Sequence, residues 1–286
     1  MDEEQFRAVA DSVDRRGMWG AQDQRGALAF LTTATTLAAT REVRDGVVIA
    51  CGRAARRPPA VELSLDRAGS WVAINERRTA DVHGLGSATH LDALGHFFYD
   101  GRTYNRTGQD VVRATGLDRH DITTAAGGVL ARGVLLDLPA LLGLPEVPSG
   151  RKVGPAEVER HLTRNGVGLE RGDVLFVRSG AAPDPDDGTG PGGLSIACAS
   201  WLHAAEVAVV VTDGGLDTEP SEVAGVAVPW HVLTLSRMGV RLVDLADLEP
   251  LAAACASRGR LSFLAVLAPL VLPGASGSPV TPLAVF

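Results

Sequence analysis

The chain is poor in cysteine, and its three cysteines stand far apart. Cys51, Cys198 and Cys255 form no CxxC pair, and their number is odd. This pattern excludes a disulfide framework and a zinc ribbon, and it indicates a reduced compartment. The polar, acidic N-terminal stretch MDEEQFRAVADSVDRR resembles neither a signal peptide nor a transit peptide. We therefore expect a cytoplasmic protein.

Positive charge and long apolar runs are also scarce. The formal net charge is −7, and Lys152 is the one lysine among 27 basic residues. A nucleic-acid binder normally carries a basic patch, so we expect no nucleic-acid partner. The longest apolar run near the C-terminus, LSFLAVLAPLVLP, has about a dozen residues before its proline. It is too short to cross a bilayer and predicts a buried strand, so we expect no membrane partner.

Two common catalytic signatures are missing, and a third matches by letter alone. The sequence has no GxSxG elbow for a serine hydrolase and no P-loop. GTGPGG, at 188–193, fits GxGxxG, but it does not follow a strand directly and contains a proline. We interpret the segment 180–193 as a surface loop that could form a lid, and not as a nucleotide-binding loop.

Alternating apolar strands and helices dominate the second half of the chain. This pattern, in a chain of 286 residues without repeats or linkers, predicts one α/β domain over 1–286 with a largely parallel sheet. Helices are predicted over 2–16 and 36–46, and strands at GVVIA, VELSL and SWVAIN. Further strands are predicted at RGVLLDL, GDVLFVRS, VAVVVTD, VRLVDL and LSFLAVLAPLVL, and helices at PAEVERHLTRNG, SIACASWLHAAE, PWHVLTLSRMG and LEPLAAACASRG.

The stretch SATHLDALGHFFYDG, at 87–101, concentrates two of the seven histidines around a carboxylate. Residues two apart in a strand point the same way, so His90 and Asp92 can face one point, with His96 returning after a bend. Imidazole and carboxylate are ligands that zinc and manganese accept. The alternative is that both histidines are core or turn residues and that Asp92 caps a loop.

THLDALGHFFYDGRTYN resembles the signature region of the cyclase family of metal-dependent hydrolases, which includes bacterial kynurenine formamidases and isatin hydrolases. MWGAQDQRGALAFLT is similar to the family's N-terminal segment, and the central strands and the C-terminal third are similar to theirs. The resemblance implies a swivelling β/β/α fold with a mixed sheet and flanking helices. It also implies a small-molecule substrate and a homodimer or homotetramer, with the helical segment 1–45 as a candidate for oligomer contacts.

The family's first metal-binding histidine would fall at Gly86 and is absent from this sequence. His90 and Asp92 match the remaining ligand positions. His83, three residues before Gly86, could reach the site through the flexible Gly84 and complete the set for zinc or manganese. The alternative is that the metal is lost, or is held by His90 and Asp92 with waters.

The resemblance also gives roles to residues beyond the first ligands. In the family, the histidine matching His96 is a second-metal ligand or a general acid/base, and we expect an acid/base that protonates the leaving nitrogen. The alternative is that His96 orients Asp92. His231 matches the family's histidine near the substrate, and Asp244 stands near a glutamate ligand of dinuclear members. The alternatives are a helix-surface histidine and a strand-end cap.

A substrate pocket is harder to predict. Aromatic side chains near the motifs could line it, and Asp213 could contact the substrate at the carboxyl end of a strand. An ordinary core and a turn explain these residues equally well. The predicted substrate-binding residues are Trp19, Phe97, Asp213 and Trp230, with Phe98 as a further aromatic candidate.

Taken together, the resemblance predicts hydrolysis of a C–N bond in a cyclic amide, N-acyl or N-formyl small molecule by metal-activated water. His231 would steady the oxyanion. One alternative is a metal-free cyclase or lyase that acts on a natural-product intermediate through His96 and His231. Another is a non-catalytic small-molecule binder.

Overall fold

The fold is known from a computed structural model, which describes residues 1–56, 60–68, 71–79, 81–84, 86–180, 192–214, 216–218 and 220–286. The predicted glycine- and proline-rich loop at 180–193 therefore lies almost wholly outside the described residues. Among the helices that are described, none is long and apolar enough to cross a membrane.

Fifteen strands and seven α-helices are described, numbered here in chain order. The strands are β1 Val48–Ala50, β2 Ala60–Ala68, β3 Trp71–Thr79, β4 His90–Asp92, β5 Val112–Arg113, β6 Gly116–Leu117, β7 Val129–Asp137, β8 Lys152–Val153, β9 Val174–Arg178, β10 Gly193–Leu194, β11 Val209–Thr212, β12 Arg241–Asp244, β13 Ser262–Leu267, β14 Gly277–Pro279 and β15 Leu283–Val285. The helices are α1 Glu3–Ser12, α2 Thr33–Ala39, α3 Leu138–Leu142, α4 Pro155–Arg164, α5 Ala199–Ala204, α6 Pro229–His231, which a π-helix over Val232–Met238 continues, and α7 Glu249–Arg258.

One nine-stranded sheet organises the molecule, in the order β1-β15-β13-β7-β9-β11-β12-β4-β14. Its four central strands, β7, β9, β11 and β12, are parallel, whereas every pairing outside them is antiparallel. The mixed sheet with flanking helices implied by the family resemblance is confirmed. The expectation of a largely parallel sheet was wrong outside the centre, where β4, β14 and β15 follow loops, and β13 pairs with β7 antiparallel although it follows helix α7.

Both faces of the central sheet are buried, as the continuous apolar runs predict. Alternate residues of β9 enter different hydrophobic clusters: Leu175 and Val177 pack on one side, and Val174 and Phe176 on the other. Helix α1 packs on the first side and α7 on the second. Each layer of helices therefore covers one face of the same sheet.

Several element boundaries differ from the prediction, including that of helix α1, which ends at Ser12 and not at residue 16. Helix α2 ends at Ala39 and is followed by a short 3₁₀ turn, so the predicted helix over 36–46 is too long. The strand predicted through residue 272 ends at Leu267, and Leu270 and Val271 are 55% and 65% exposed. Pro269 explains this boundary, because a proline has no N–H to donate to a sheet ladder. Strands β14 and β15, each of three residues, were not predicted.

A second, separate feature is the hairpin of β2 and β3, which pair with each other along nine residues. Val61, Leu63 and Leu65 alternate along β2, and Ile74 lies opposite Leu65, so all four share one face. These side chains are exposed. The hairpin leads directly into the segment that carries His83.

Gly26 joins the N-terminal segment to the end of the π-helix. It has φ +60°, and a Cβ built on it would lie 2.3 Å from the carbonyl oxygen of Gly239. The neighbouring Ala27 N–H donates to that same oxygen at 2.8 Å. Gly46 has a similar φ of +71°, with nothing within 4 Å of a built Cβ.

We predict that Gly26→Ala lowers the free energy of unfolding by about 2–4 kcal/mol, since left-handed strain and a backbone clash add together. Gly46→Ala is the matched control, and strain alone should cost it about 1–2 kcal/mol. Urea denaturation of the two variants checks the difference. Equal losses would show that the close approach to Gly239 does not constrain the fold.

Candidate active site

Strand β4 places the first site residues on one face of the sheet. It lies between β12 and β14, with His90 opposite Asp244 on one side and Asp92 opposite Gly277 on the other. Directly opposite residues of antiparallel strands share a face, as do residues two apart in a strand. His90, Asp92 and Asp244 therefore converge, as the HxD spacing predicts for the first two.

Asp92 is the centre of the site and is fully buried. Its Oδ1 lies 3.1 Å from His83 Nδ1 and 3.7 Å from His90 Nε2, and its Oδ2 lies 3.7 Å from His231 Nε2. Burial would raise the pKa of the Asp92 carboxyl, but the contact with His83 and the electrostatic influence of the neighbouring histidines lower it to about 2. The carboxylate is thus ionised throughout the physiological range.

His96 returns to the site through a tight bend at Gly95. The Gly95 N–H donates to the carbonyl of His120 at 2.9 Å, and a Cβ on Gly95 would lie 3.0 Å from that oxygen. The His96 ring stacks on His83, with centroids 3.7 Å apart and planes inclined by 14°. Burial lowers the pKa of His96 to about 4, against the opposing effect of Asp92. His96 is therefore a neutral imidazole at neutral pH.

His83 lies within the site. Its position matters because it is the candidate to replace the family histidine that is absent at Gly86. The chain reaches it through Gly84, whose φ of +103° favours glycine. Besides its contact with Asp92, His83 directs Nε2 to Ser276 Oγ at 2.9 Å. We call His83, His90, His96 and His231, together with Asp92 and Asp244, the histidine cluster.

His231 is held by an acid that the sequence reasoning missed, Asp217. Helix α6 begins at Pro229, and Val228 before it has no side-chain oxygen to cap the helix. Asp217 fills that place: it accepts from the backbone N–H of Trp230 at 2.6 Å and from that of His231 at 3.2 Å. It also contacts His231 Nδ1 at 2.6 Å. An apolar residue before a helix-starting proline was the available signal that a distant cap was needed.

The second ring nitrogen of His231 therefore faces the cluster. Nε2 lies 3.5 Å from Asp244 Oδ2. Burial lowers the pKa of the His231 imidazole, but Asp217 and Asp244 outweigh it and raise that pKa well above its ordinary value. The site thus holds one neutral histidine, His96, and one protonated histidine, His231, with ring centroids 6.2 Å apart.

Within the described residues, two groups of side chains could hold a metal ion: His83, Asp92 and His96, and His90, Asp92 and Asp244. Each set offers ligand atoms within 4.8 Å of one another, and Asp92 belongs to both. His83 Nδ1, both Asp92 oxygens and Asp244 Oδ1 are buried without a hydrogen-bond partner among the residues described. Buried polar atoms are normally satisfied, so this donor set fits a divalent cation.

Of the predicted substrate-binding residues, Phe97 alone is described in contact with the cluster, its ring centroid 5.8 Å from that of His231. Trp230 is a correction: it is buried in the core, and its indole N–H donates to the Leu194 carbonyl. Trp19 packs edge-to-face on Phe30.

Asp213 also differs from the expected substrate contact. Its buried carboxylate accepts from the backbone N–H groups of Ser179 and Gly180 and from the Ser179 hydroxyl, at 2.7–3.0 Å. Both oxygens are thereby committed to the loop that follows β9. The physical reason is that a buried carboxylate must be satisfied by the nearest donors.

Comparison with known proteins gives a family-model match and similar solved structures. Residues 62–218, more than half of the chain, match the family model described as "Putative cyclase". A crystal structure of a novel cyclase is 26% identical, with a TM-score of 0.86, and the match covers 97% of this chain and 99% of that one. A search of curated proteins found no match.

Two isatin hydrolases share the fold at lower identity. Isatin hydrolase A from Ralstonia solanacearum is 19% identical with a TM-score of 0.55, over 89% of this chain and 97% of that one. Isatin hydrolase A from Labrenzia aggregata, bound to benzyl benzoate, is 15% identical with a TM-score of 0.55, over 89% and 100% of the two chains.

We predict that Asp217→Asn lowers the pKa of His231, because the amide keeps an acceptor but removes the charge. A raised folded-state pKa contributes stability that is complete below the unfolded value of about 6.5 and is lost as the pH rises through the folded value. The difference in free energy of unfolding between wild type and variant should therefore be larger at pH 6 than at pH 9. Histidine NMR titration of metal-free protein measures the pKa itself.

Asp213→Asn is the matched control for this prediction, because it neutralises another buried acid whose partners are Ser179 and Gly180. It should leave the pKa of His231 in place. An unchanged pKa in Asp217→Asn would contradict the assignment.

Proposed function

The chain belongs to the cyclase family, and from this premise we propose that it is an enzyme that hydrolyses a C–N bond in a cyclic amide, N-acyl or N-formyl small molecule. The observation that carries the proposal is the buried Asp92 carboxylate, whose unpartnered oxygens lie among four histidines and Asp244. The family membership and the match to a cyclase structure support a hydrolase or cyclase.

We propose a divalent cation, zinc or manganese, as the cofactor. His83, Asp92 and His96 would hold it, or His90, Asp92 and Asp244, since each set has the nitrogen and oxygen donors that these ions accept. When bound, the cation would act as a Lewis acid on the substrate carbonyl and make a nearby water more acidic. The unpartnered buried atoms of the cluster support this reading.

His231 is suited to protonate the leaving nitrogen. Asp217 holds Nδ1, so the proton on Nε2 is the one that faces the cluster. Because the neighbouring acids raise the pKa of His231 well above its ordinary value, the proton is present at neutral pH. The sequence-based expectation gave this task to His96.

His96 is suited to accept a proton or to serve as a ligand. A histidine whose pKa is lowered to about 4 carries no proton to donate near neutrality, which is the physical reason for exchanging the two roles. In the hydrolysis, a water oxygen bonds to the carbonyl carbon while His96 takes a water proton. The C–N bond then breaks, and the proton on His231 Nε2 passes to the nitrogen.

The same pair of histidines supports a second candidate, a metal-free cyclase or lyase acting on a natural-product intermediate. The observation in its favour is that His96 and His231 have opposite pKa shifts and lie 6.2 Å apart, as a base and an acid require. Metal content separates the two candidates.

We predict near-stoichiometric zinc or manganese in wild-type protein purified without chelator, and loss of that metal in Asp92→Ala, since Asp92 belongs to both candidate ligand sets. Inductively coupled plasma mass spectrometry measures it. His203→Ala, which removes a half-buried histidine on α5, should keep the metal. Less than about 0.1 metal per chain in the wild type, unchanged after addition of either ion, would reject the metallohydrolase in favour of the acid–base pair.

We predict that His96→Ala and His231→Ala remain folded but lose turnover by about 100-fold or more, because each removes a proton-transfer group. A panel of isatin-type lactams, N-formyl arylamines and N-acyl amines, assayed for the released acid, tests this, again with His203→Ala as the control. Wild-type turnover that survives both substitutions would contradict the roles proposed for these residues.

A further inference from the structure

Gly277, on β14, stands at a position where the backbone conformation does not require glycine. Its φ is outside the left-handed region, in which glycine has an advantage. A Cβ built at this position would instead lie 2.6 Å from His83 Cε1, 3.1 Å from His83 Nε2 and 3.0 Å from the Leu91 carbonyl oxygen. The side chain is therefore excluded by its neighbours, and the main neighbour is the His83 ring.

The register of the sheet explains why the ring fits there. Gly277 lies directly opposite Asp92, and opposite residues of antiparallel strands present their side chains to the same face. With no side chain at position 277, the space beside Asp92 on that face is open to His83. The ring enters this space and brings Nδ1 to 3.1 Å from Asp92 Oδ1.

Ser276 contacts the ring nitrogen of His83 that faces away from Asp92. Its Oγ lies 2.9 Å from His83 Nε2, and its carbonyl accepts from the backbone N–H of Ala93, which ties the loop to the end of β4. When Nε2–H donates to Ser276 Oγ, the lone pair of the neutral imidazole is on Nδ1. The His96 ring stacks on one face of the His83 ring.

We propose that Ser276 and Gly277 form a seat for His83, here called the His83 seat, and act as positioning residues. The seat holds a histidine that reaches the cluster from outside the THLDALGH segment, and it presents Nδ1 beside Asp92 as a metal ligand. The metal part of this inference rests on the proposed function, whereas the fit of the ring to the seat does not.

The fit is tested on metal-free protein by thermal unfolding of Gly277→Ala, His83→Ala and the double variant. Gly277→Ala should lower Tm by about 2–10 °C, because the added methyl overlaps the ring. In the His83→Ala background the overlap with the ring is gone and the 3.0 Å approach to the Leu91 carbonyl oxygen remains, so the same change should cost less. Equal losses in both backgrounds would overturn the seat.

Gly133→Ala is the matched control for this cycle. Gly133 is also a strand glycine facing a ring, since a Cβ there would lie 2.3 Å from Phe263 Cε2. Its loss of Tm should be the same with and without His83. If His83→Ala reduced the loss of Tm caused by Gly133→Ala as much as that caused by Gly277→Ala, the substitution would be loosening the sheet in general. That result would also overturn the seat.

Ser276→Ala gives an independent measurement, because it removes a hydroxyl and adds no atoms. Its zinc dissociation constant, from competition with a chromophoric chelator, should rise by about 10–100-fold, while Ser276→Thr should stay near wild type. In the His83→Ala background, Ser276→Ala should not raise the zinc dissociation constant any further. An unchanged constant, or an equal rise in both backgrounds, would overturn the positioning role of Ser276.

The two measurements keep this inference apart from the proposed function. A wild type that binds neither zinc nor manganese would end the metallohydrolase proposal and the ligand role of the seat. The melting cycle, which contains no metal, would still decide whether Gly277 is reserved for the His83 ring.

Discussion

A fully buried carboxylate, that of Asp92, is the constraint on which the rest of the site depends. Removing an ion from water costs several kcal/mol, and this cost must be offset by partners in fixed positions. Asp92 has no hydrogen-bond partner among the described residues, so the offset comes from the histidines around it. The arrangement of His83, His90 and His231 is thus an electrostatic requirement as much as a chemical one.

The charge of the Asp92 carboxylate does not lead to the same protonation state in every histidine around it. Asp92 favours the protonated form of His96, yet burial prevails there because His96 stacks on another imidazole and has no acid of its own. His231 is also buried, but it has Asp217 at one nitrogen and Asp244 near the other. The buried charge of Asp92, together with two further acids beside His231, therefore makes His96 a base and His231 an acid.

The sequence could predict the parts of this site that depend on local pattern. The two-residue spacing of His90 and Asp92 gave their shared face, and the glycines of the preceding segment made the approach of His83 sterically reasonable. Asp217 and Ser276 could not be predicted in this way, because their contacts depend on tertiary pairing. Trp230 shows the converse error: proximity to a motif in sequence suggested a pocket, while the periodicity of its helix turned the ring into the core.

The fold, like the site, could be predicted only in part from the sequence. The part that could not be predicted is the region in which the site lies. Apolar runs gave the parallel centre, but not the change of strand direction between β12 and β4. At that change, the carboxyl end of β12 meets the amino end of β4, so Asp244 and His90 become direct neighbours. Ligand sites of open α/β sheets gather at the carboxyl ends of their parallel strands, and here antiparallel β4 and β14 extend that edge. A site built at this junction draws residues from both strand directions, which allows a glycine on β14 to determine where a histidine from another loop can stand.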